Sequence, residues 1–91
     1  MKETWEVTNV FPVLPCRLLV EFREGTEYRL FDFSRKFDQP VFAPLRDPAF
    51  FRRVRFDPEA GTAVWPGEID IAPETLYAEG LPLPCTGENT G

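Results

Sequence analysis

The chain contains no histidine, one serine (Ser34), two cysteines (Cys16 and Cys85) and two lysines (Lys2 and Lys36). Each scarcity removes a class of chemistry. Without histidine there is no Ser-His-Asp or Cys-His arrangement, no imidazole-ligated metal and no ordinary side-chain titration near neutral pH. Ser34 has no adjacent base to activate it. Two cysteines do not make a disulfide scaffold, and no glycine-rich phosphate loop is present. Apolar runs extend for only a few residues, too short for a helix that crosses a bilayer. Cations are outnumbered by acids, 10 to 15, which sets the net charge at −5. A surface of that sign repels nucleic-acid phosphates.

Rings and turn residues are what the chain has in quantity. Nine Phe, two Trp and two Tyr occur in 91 residues, enough to supply the core of a single small domain. Ten Pro and six Gly cut the chain into short pieces, which favours short strands over long helices. The fold expected is α+β: a small antiparallel sheet of four or five short strands with one or two short helices. Residues 1–78 are expected to form a single compact domain. The segment 79–91, rich in Gly, Pro, Thr and acid, reads as a disordered tail.

The first extended piece runs from Thr4 to Phe11 and is expected to break at Pro12 and Pro15. The second, Arg17 to Arg23, alternates, with Leu18, Val20 and Phe22 on one face and Arg17, Leu19, Glu21 and Arg23 on the other. The third, Glu27 to Phe33, completes a hairpin around Gly25. A two-residue turn at Glu24-Gly25 would put Phe22 opposite Glu27 and Val20 opposite Arg29 and mix the faces. A three-residue loop, Glu24-Gly25-Thr26, is preferred and would pair Phe22 with Tyr28, Val20 with Leu30, Glu21 with Arg29 and Arg23 with Glu27. That register keeps apolar residues together on one face. Asp47-Pro48 starts a short helix to Val54, with Phe50, Phe51 and Val54 inward. A second hairpin joins Val54–Phe56 to Thr62–Trp65 through Asp57–Gly61. Ile69–Ile71 is a brief extended piece, and Pro73 begins a last helical turn to Tyr77.

Three stretches together resemble a family of small bacterial proteins, the domain-of-unknown-function family 2442. The first is Val7-Thr8-Asn9-Val10 leading into Arg17–Phe22, Gly25 and Phe31-Asp32-Phe33. The second is Val41-Phe42-Ala43-Pro44-Leu45-Arg46-Asp47-Pro48 with Phe51, Val54 and Asp57-Pro58. The third is Gly61–Pro66 followed by Asp70-Ile71-Ala72-Pro73-Glu74-Thr75-Leu76-Tyr77. The resemblance covers residues 5 to 78. It implies a compact α+β fold of mostly antiparallel strands and no activity. Some relatives carry a helix-turn-helix domain after this one, which implies a regulatory setting. Many of the genes stand beside one for another small protein, which implies a toxin–antitoxin-like pair. Cys16 and the long tail depart from the family pattern.

Each chemical candidate has a plainer reading. Cys16 has no His or nearby thiol to assist it and reads as a structural or semi-exposed thiol. A Cys16–Cys85 disulfide is an alternative that requires the tail to dock. Asp32, Asp47, Asp57 and Asp70 would serve acid–base chemistry only if two were held together. Asp47 and Asp57 read as a helix cap and a turn residue, Asp32 as a strand end, and Asp70 precedes the last helical turn. No spacing matches a metal site. Arg52, Arg53 and Arg55 form the sole basic cluster and read as a solvated helix face. Trp65 reads as a core anchor or, less simply, as a peptide-docking surface.

The expected function is a non-enzymatic protein-binding or regulatory module, with the antitoxin-like member of a two-gene system as its specific form. No cofactor is expected. The expected partner is the product of a neighbouring gene, or a second copy joined through an edge strand or an aromatic patch. The interaction surface is placed at Phe42, Arg46, Trp65 and Tyr77. With no secretory signal read at the N-terminus, the reducing cytoplasm is the expected compartment. The alternatives are a small enzyme using Asp and Arg without His, and a weak nucleic-acid-associated regulator.

Overall fold

A computed structural model describes residues 5–83. It shows an α+β fold in which seven strands divide between two antiparallel sheets. The first sheet has the order β1-β2-β3-β7, from β1 (Val7–Val13), β2 (Arg17–Phe22), β3 (Glu27–Asp32) and β7 (Leu81–Pro82). The second is β4-β5-β6, from β4 (Arg55–Asp57), β5 (Thr62–Trp65) and β6 (Ile69–Asp70). Between the sheets in sequence lie two 3-10 turns, Phe33–Arg35 and Pro40–Arg46, and the one-turn helix α1 (Pro48–Phe51). Helix α2 (Pro73–Glu79) returns the chain to β3.

Strand β1 runs through Pro12 to Val13 and is not broken there. It is an edge strand, and on an edge the N–H that proline lacks faces away from the ladder. The start of the segment read as tail also enters the fold, because Leu81 and Pro82 pair with Leu30 and Arg29. Residue Cys85, and with it any Cys16–Cys85 bond, lies outside the described residues.

The first hairpin has a different register from the one expected. Phe22 pairs with Glu27, Val20 with Arg29, Leu19 with Leu30 and Leu18 with Phe31. The loop is Arg23–Thr26, four residues long, with Arg23, Glu24 and Gly25 at φ of 50°, 57° and 91°. Non-glycine residues rarely adopt such angles. Here the loop is braced from outside. The Arg23 N–H donates to the Glu6 carbonyl at 2.9 Å and the Glu24 N–H to Thr8 Oγ1 at 3.0 Å. Thr26 Oγ1 closes the loop on the Arg23 carbonyl at 2.7 Å. One step in register moves every β3 side chain to the other face. Leu30 is therefore turned outward, and Arg29 and Glu27 inward.

The core lies between the inner face of the first sheet and the elements that follow it. Val10, Leu18, Val20, Phe22 and Phe31 line that face and are buried. Phe33 is the hub and has no exposed surface. Its ring meets those of Phe31, Phe42, Phe51 and Trp65 edge-on, at centroid separations of 4.8 to 5.7 Å. Such aromatic pairs add about 0.5–1.5 kcal/mol each beyond their buried area. All four residues of β5 are buried, as suits the central strand of the second sheet. The hydroxyl of Thr62, the buried polar residue there, donates to the Ile71 carbonyl at 2.6 Å.

Candidate functional site

The four residues placed on an interaction surface have separate surroundings. Phe42 and Trp65 are buried in the ring cluster, and Trp65 Nε1 donates to the Phe51 carbonyl at 2.9 Å. Arg46 is exposed, and its guanidinium lies 5.6 Å from the centre of the Phe37 ring. Tyr77 is half-buried on α2, edge-on to Phe22 at 5.1 Å. The fold does not bring these four residues to one face: two lie inside and two stand on different elements.

Tyr77 belongs to a cluster that no motif announced. Its ring lies 3.7 Å from the Arg29 guanidinium, and its hydroxyl donates to Glu27 Oε1 at 3.2 Å. Arg29 pairs with Glu27 at 2.7 Å and donates to the Tyr77 carbonyl at 2.7 Å. Arg23 meets the other Glu27 oxygen at 3.2 Å. The Arg29 side chain is only 15% exposed. Its charge is satisfied by a carboxylate, by the carbonyl end of α2 and by a ring face, which together hold α2 on the sheet. Gly80 permits this approach, because a Cβ there would lie 2.5 Å from the Leu76 carbonyl and 3.0 Å from Arg29 Cβ. The cluster is an internal clamp.

The aspartates are dispersed over local turns. Asp32 accepts the Ser34 N–H at 2.9 Å, Asp47 the Ala49 N–H at 3.1 Å and Asp57 the Glu59 N–H at 2.9 Å. Asp70 is exposed on β6. The Ser34 hydrogen bond, aided by Arg17, holds the Asp32 carboxyl below its usual range. Burial and the nearby Asp32 carboxylate push the Cys16 thiol up, so it resists forming the reactive thiolate. Among the described residues no group of three or more Cys, Asp or Glu is arranged to hold a metal. Arg52, Arg53 and Arg55 are exposed, with Asp57 4.0 Å from Arg55.

The feature the sequence reading missed is on the outer face of the first sheet. Phe11 pairs with Leu19, Leu19 with Leu30 and Leu30 with Leu81. Four apolar side chains therefore form one row across all four strands, about 14 Å from first to last at the usual strand spacing. Phe11 is 41% and Leu81 64% exposed, and Leu19 and Leu30 are half-buried. Val13 (38% exposed) and Leu83 (38% exposed) lie beside the row. Polar rows flank it. On one side are Asn9, Glu21 and Tyr28; on the other, Arg17 and Asp32. Beyond Leu30 and Leu81 opens a groove of about 490 Å³ that reaches Arg35, Lys36 and Glu79. The alternation of β2 contained Leu19 as a single apolar residue on a wet face. Only the observed register joins it to Leu30.

Both edges of the first sheet carry features that disfavour an added strand. On β1, Pro12 has no N–H and the Val10 N–H is taken by the Asn9 side chain at 2.9 Å. Strands β4 and β5 lie close against β1. The opposite edge, β7, is two residues long and contains Pro82. Short edges and edge prolines are common devices against strand pairing.

A family model described as "Protein of unknown function (DUF2442)" matches residues 7–82. The chain belongs to this family. The match spans both sheets and ends on β7, so Leu81 and the outer row fall within the family domain. No curated protein and no solved structure matches the chain. No helix among the described residues is long and apolar enough to cross a membrane.

Proposed function

We propose that this protein is a non-enzymatic protein-binding or regulatory module of the cytoplasm that docks through the outer face of its first sheet. The row Phe11, Leu19, Leu30 and Leu81 carries this reading. Contiguous exposed apolar surface rimmed by polar groups marks an interaction site more often than scattered apolar residues do. The aspartates support a non-enzymatic role, since Asp32, Asp47 and Asp57 each accept a backbone N–H of their own turn. The antitoxin-like place in a two-gene system is the specific form of this reading. It draws its support from the resemblance of the chain to genes that stand in pairs.

The test is co-expression of the full chain with the product of the neighbouring gene, alongside the Leu19→Arg and Leu30→Arg variants. The expected result is a stoichiometric complex, with that product or with a second copy, that both variants lose while keeping the native circular dichroism. Retention of every association by both variants, or a native chain that forms no complex at all, would overturn the reading.

A further inference from the structure

We infer that the occupant of the outer sheet face is a second copy of this chain, packed face to face about a two-fold axis parallel to the strands. The inference rests on the docking reading above and adds the identity and geometry of the partner. It follows from the charge pattern around the apolar row.

A two-fold axis parallel to the strands, passing between β2 and β3, lays β2 of one copy over β3 of the other. Positions along the strands are kept and positions across the sheet are exchanged. Residues paired between β2 and β3 within one copy then also face each other between copies. Leu19 lies over Leu30 of the second copy, and Phe11 over Leu81, beside the groove that opens there. Arg17 lies over Asp32, and Glu21 over Tyr28. These contacts are apolar on apolar, cation on anion, or hydroxyl on carboxylate, and each occurs twice; at the rim Asn9 lies over Leu83. A two-fold interface must match its own surface in this way. Sheets packed on one another with strands nearly aligned are the ordinary sandwich arrangement.

Within one copy Asp32 Oδ1 accepts the Ser34 N–H, and its Oδ2 faces Arg17. Arg17 and Asp32 approach within one copy only at 3.8 Å, with side chains 54% and 47% exposed. Glu21 is engaged by the Thr8 hydroxyl at 2.9 Å and more loosely by the Tyr28 hydroxyl at 3.4 Å. The other in-plane axis, perpendicular to the strands, would instead set Arg17 over this already engaged Glu21. Three strands of about 20 Å at about 4.8 Å spacing, with the two residues of β7, give a face of about 320 Å². Two such faces fall below the area of a standard stable interface, about 1,200–2,000 Å² in total. The dimer is accordingly concentration-dependent.

The test is sedimentation of the full chain over a wide concentration range, with Arg17→Asp and Asp32→Arg made separately and then mixed. The native chain is expected to move reversibly from monomer to dimer. Each variant alone sets like charges against each other twice and weakens its dimer by at least about tenfold. Mixing them restores a heterodimer, because both interchain pairs become complementary again. Pairing within one copy cannot produce that rescue. Dimerisation of both variants as strong as that of the native chain, or weakened variants with no rescue on mixing, would overturn the inference. A native chain that stays monomeric yet binds the neighbouring gene's product through Leu19 would also overturn it, and would leave the docking reading standing. Phe11→Glu, at an exposed position, supplies a dimer-breaking variant that does not depend on the Arg17–Asp32 pair.

Discussion

The two faces of the first sheet are built from the same alternating strands and finished in opposite ways. The inner face combines apolar residues with two charged ones, Glu27 and Arg29, and the chain covers most of it. Phe33, Phe51 and Trp65 close over its apolar part, and Tyr77 closes over the charges. The outer face carries a full apolar row, with Phe11 and Leu81 left exposed at its two ends. The charged residues on the buried side are fully accounted for by partners within the chain. The apolar residues on the open side are not, so the functional question belongs there.

The largest expected effect on this contrast comes from Phe33→Ala. Phe33 is fully buried and meets four other rings, and removing a buried Phe costs about 3–5 kcal/mol. In a domain of this size the midpoint of thermal unfolding should fall by more than about 12 °C, or the native state should be lost. An unchanged melting curve would mean that the ring cluster does not hold the inner face closed.

The clamp is next. Arg29→Met leaves Glu27 with Arg23 and Tyr77 alone and frees the carbonyl end of α2. A loss of about 1–3 kcal/mol is expected in chemical denaturation. Arg29→Lys should recover only part of it, since an ammonium cannot make the forked contact or stack as well on Tyr77. Gly80→Ala should cost a similar amount through overpacking, because the new methyl meets the Leu76 carbonyl. If Arg29→Met were neutral, the charges on the inner face would be tolerated and not used.

Much of this arrangement was legible in the sequence, and one step of register was not. The α+β class, the alternation of β2, the Asp47 cap, the anchoring Trp65 and the turn at Asp57–Gly61 follow from pattern and turn chemistry. The β2–β3 register was read from like meeting like, with Tyr28 and Leu30 turned to the core. The decisive forces were elsewhere in the chain. Glu6 and Thr8 brace the left-handed loop, and α2, some fifty residues on, covers Arg29. Local pattern does not contain such contacts. The slip hides the outer row, because it assigns Leu30 to the core. Phe42 and Trp65, surface candidates as aromatic residues, are both interior.

Acidification gives a smaller effect on the rim of the outer face. The Asp32 carboxyl is held below its unfolded value, chiefly by the Ser34 N–H. Its contribution to stability is therefore present above the unfolded pKa and fades as pH falls through the folded one. Asp32→Asn should flatten that part of the stability-versus-pH curve below about pH 4. An unaltered curve would remove Asp32 as a contributor. The smallest effect should be at Cys16, whose raised pKa slows its alkylation by iodoacetamide at neutral pH. In a Cys85→Ser background, Asp32→Asn should speed the reaction. Equal rates would show that the carboxylate does not govern the thiol.

The contrast between the two faces is tested most directly by amide chemical shifts of the uniformly labelled chain, recorded as its own concentration is raised. The account predicts shifts concentrated on β1, β2, β3 and β7 around Phe11, Leu19, Leu30 and Leu81, absent in Phe11→Glu. Shifts centred instead on Arg52, Arg53 and Arg55, or none at any concentration, would contradict the assignment of the outer face to a second copy.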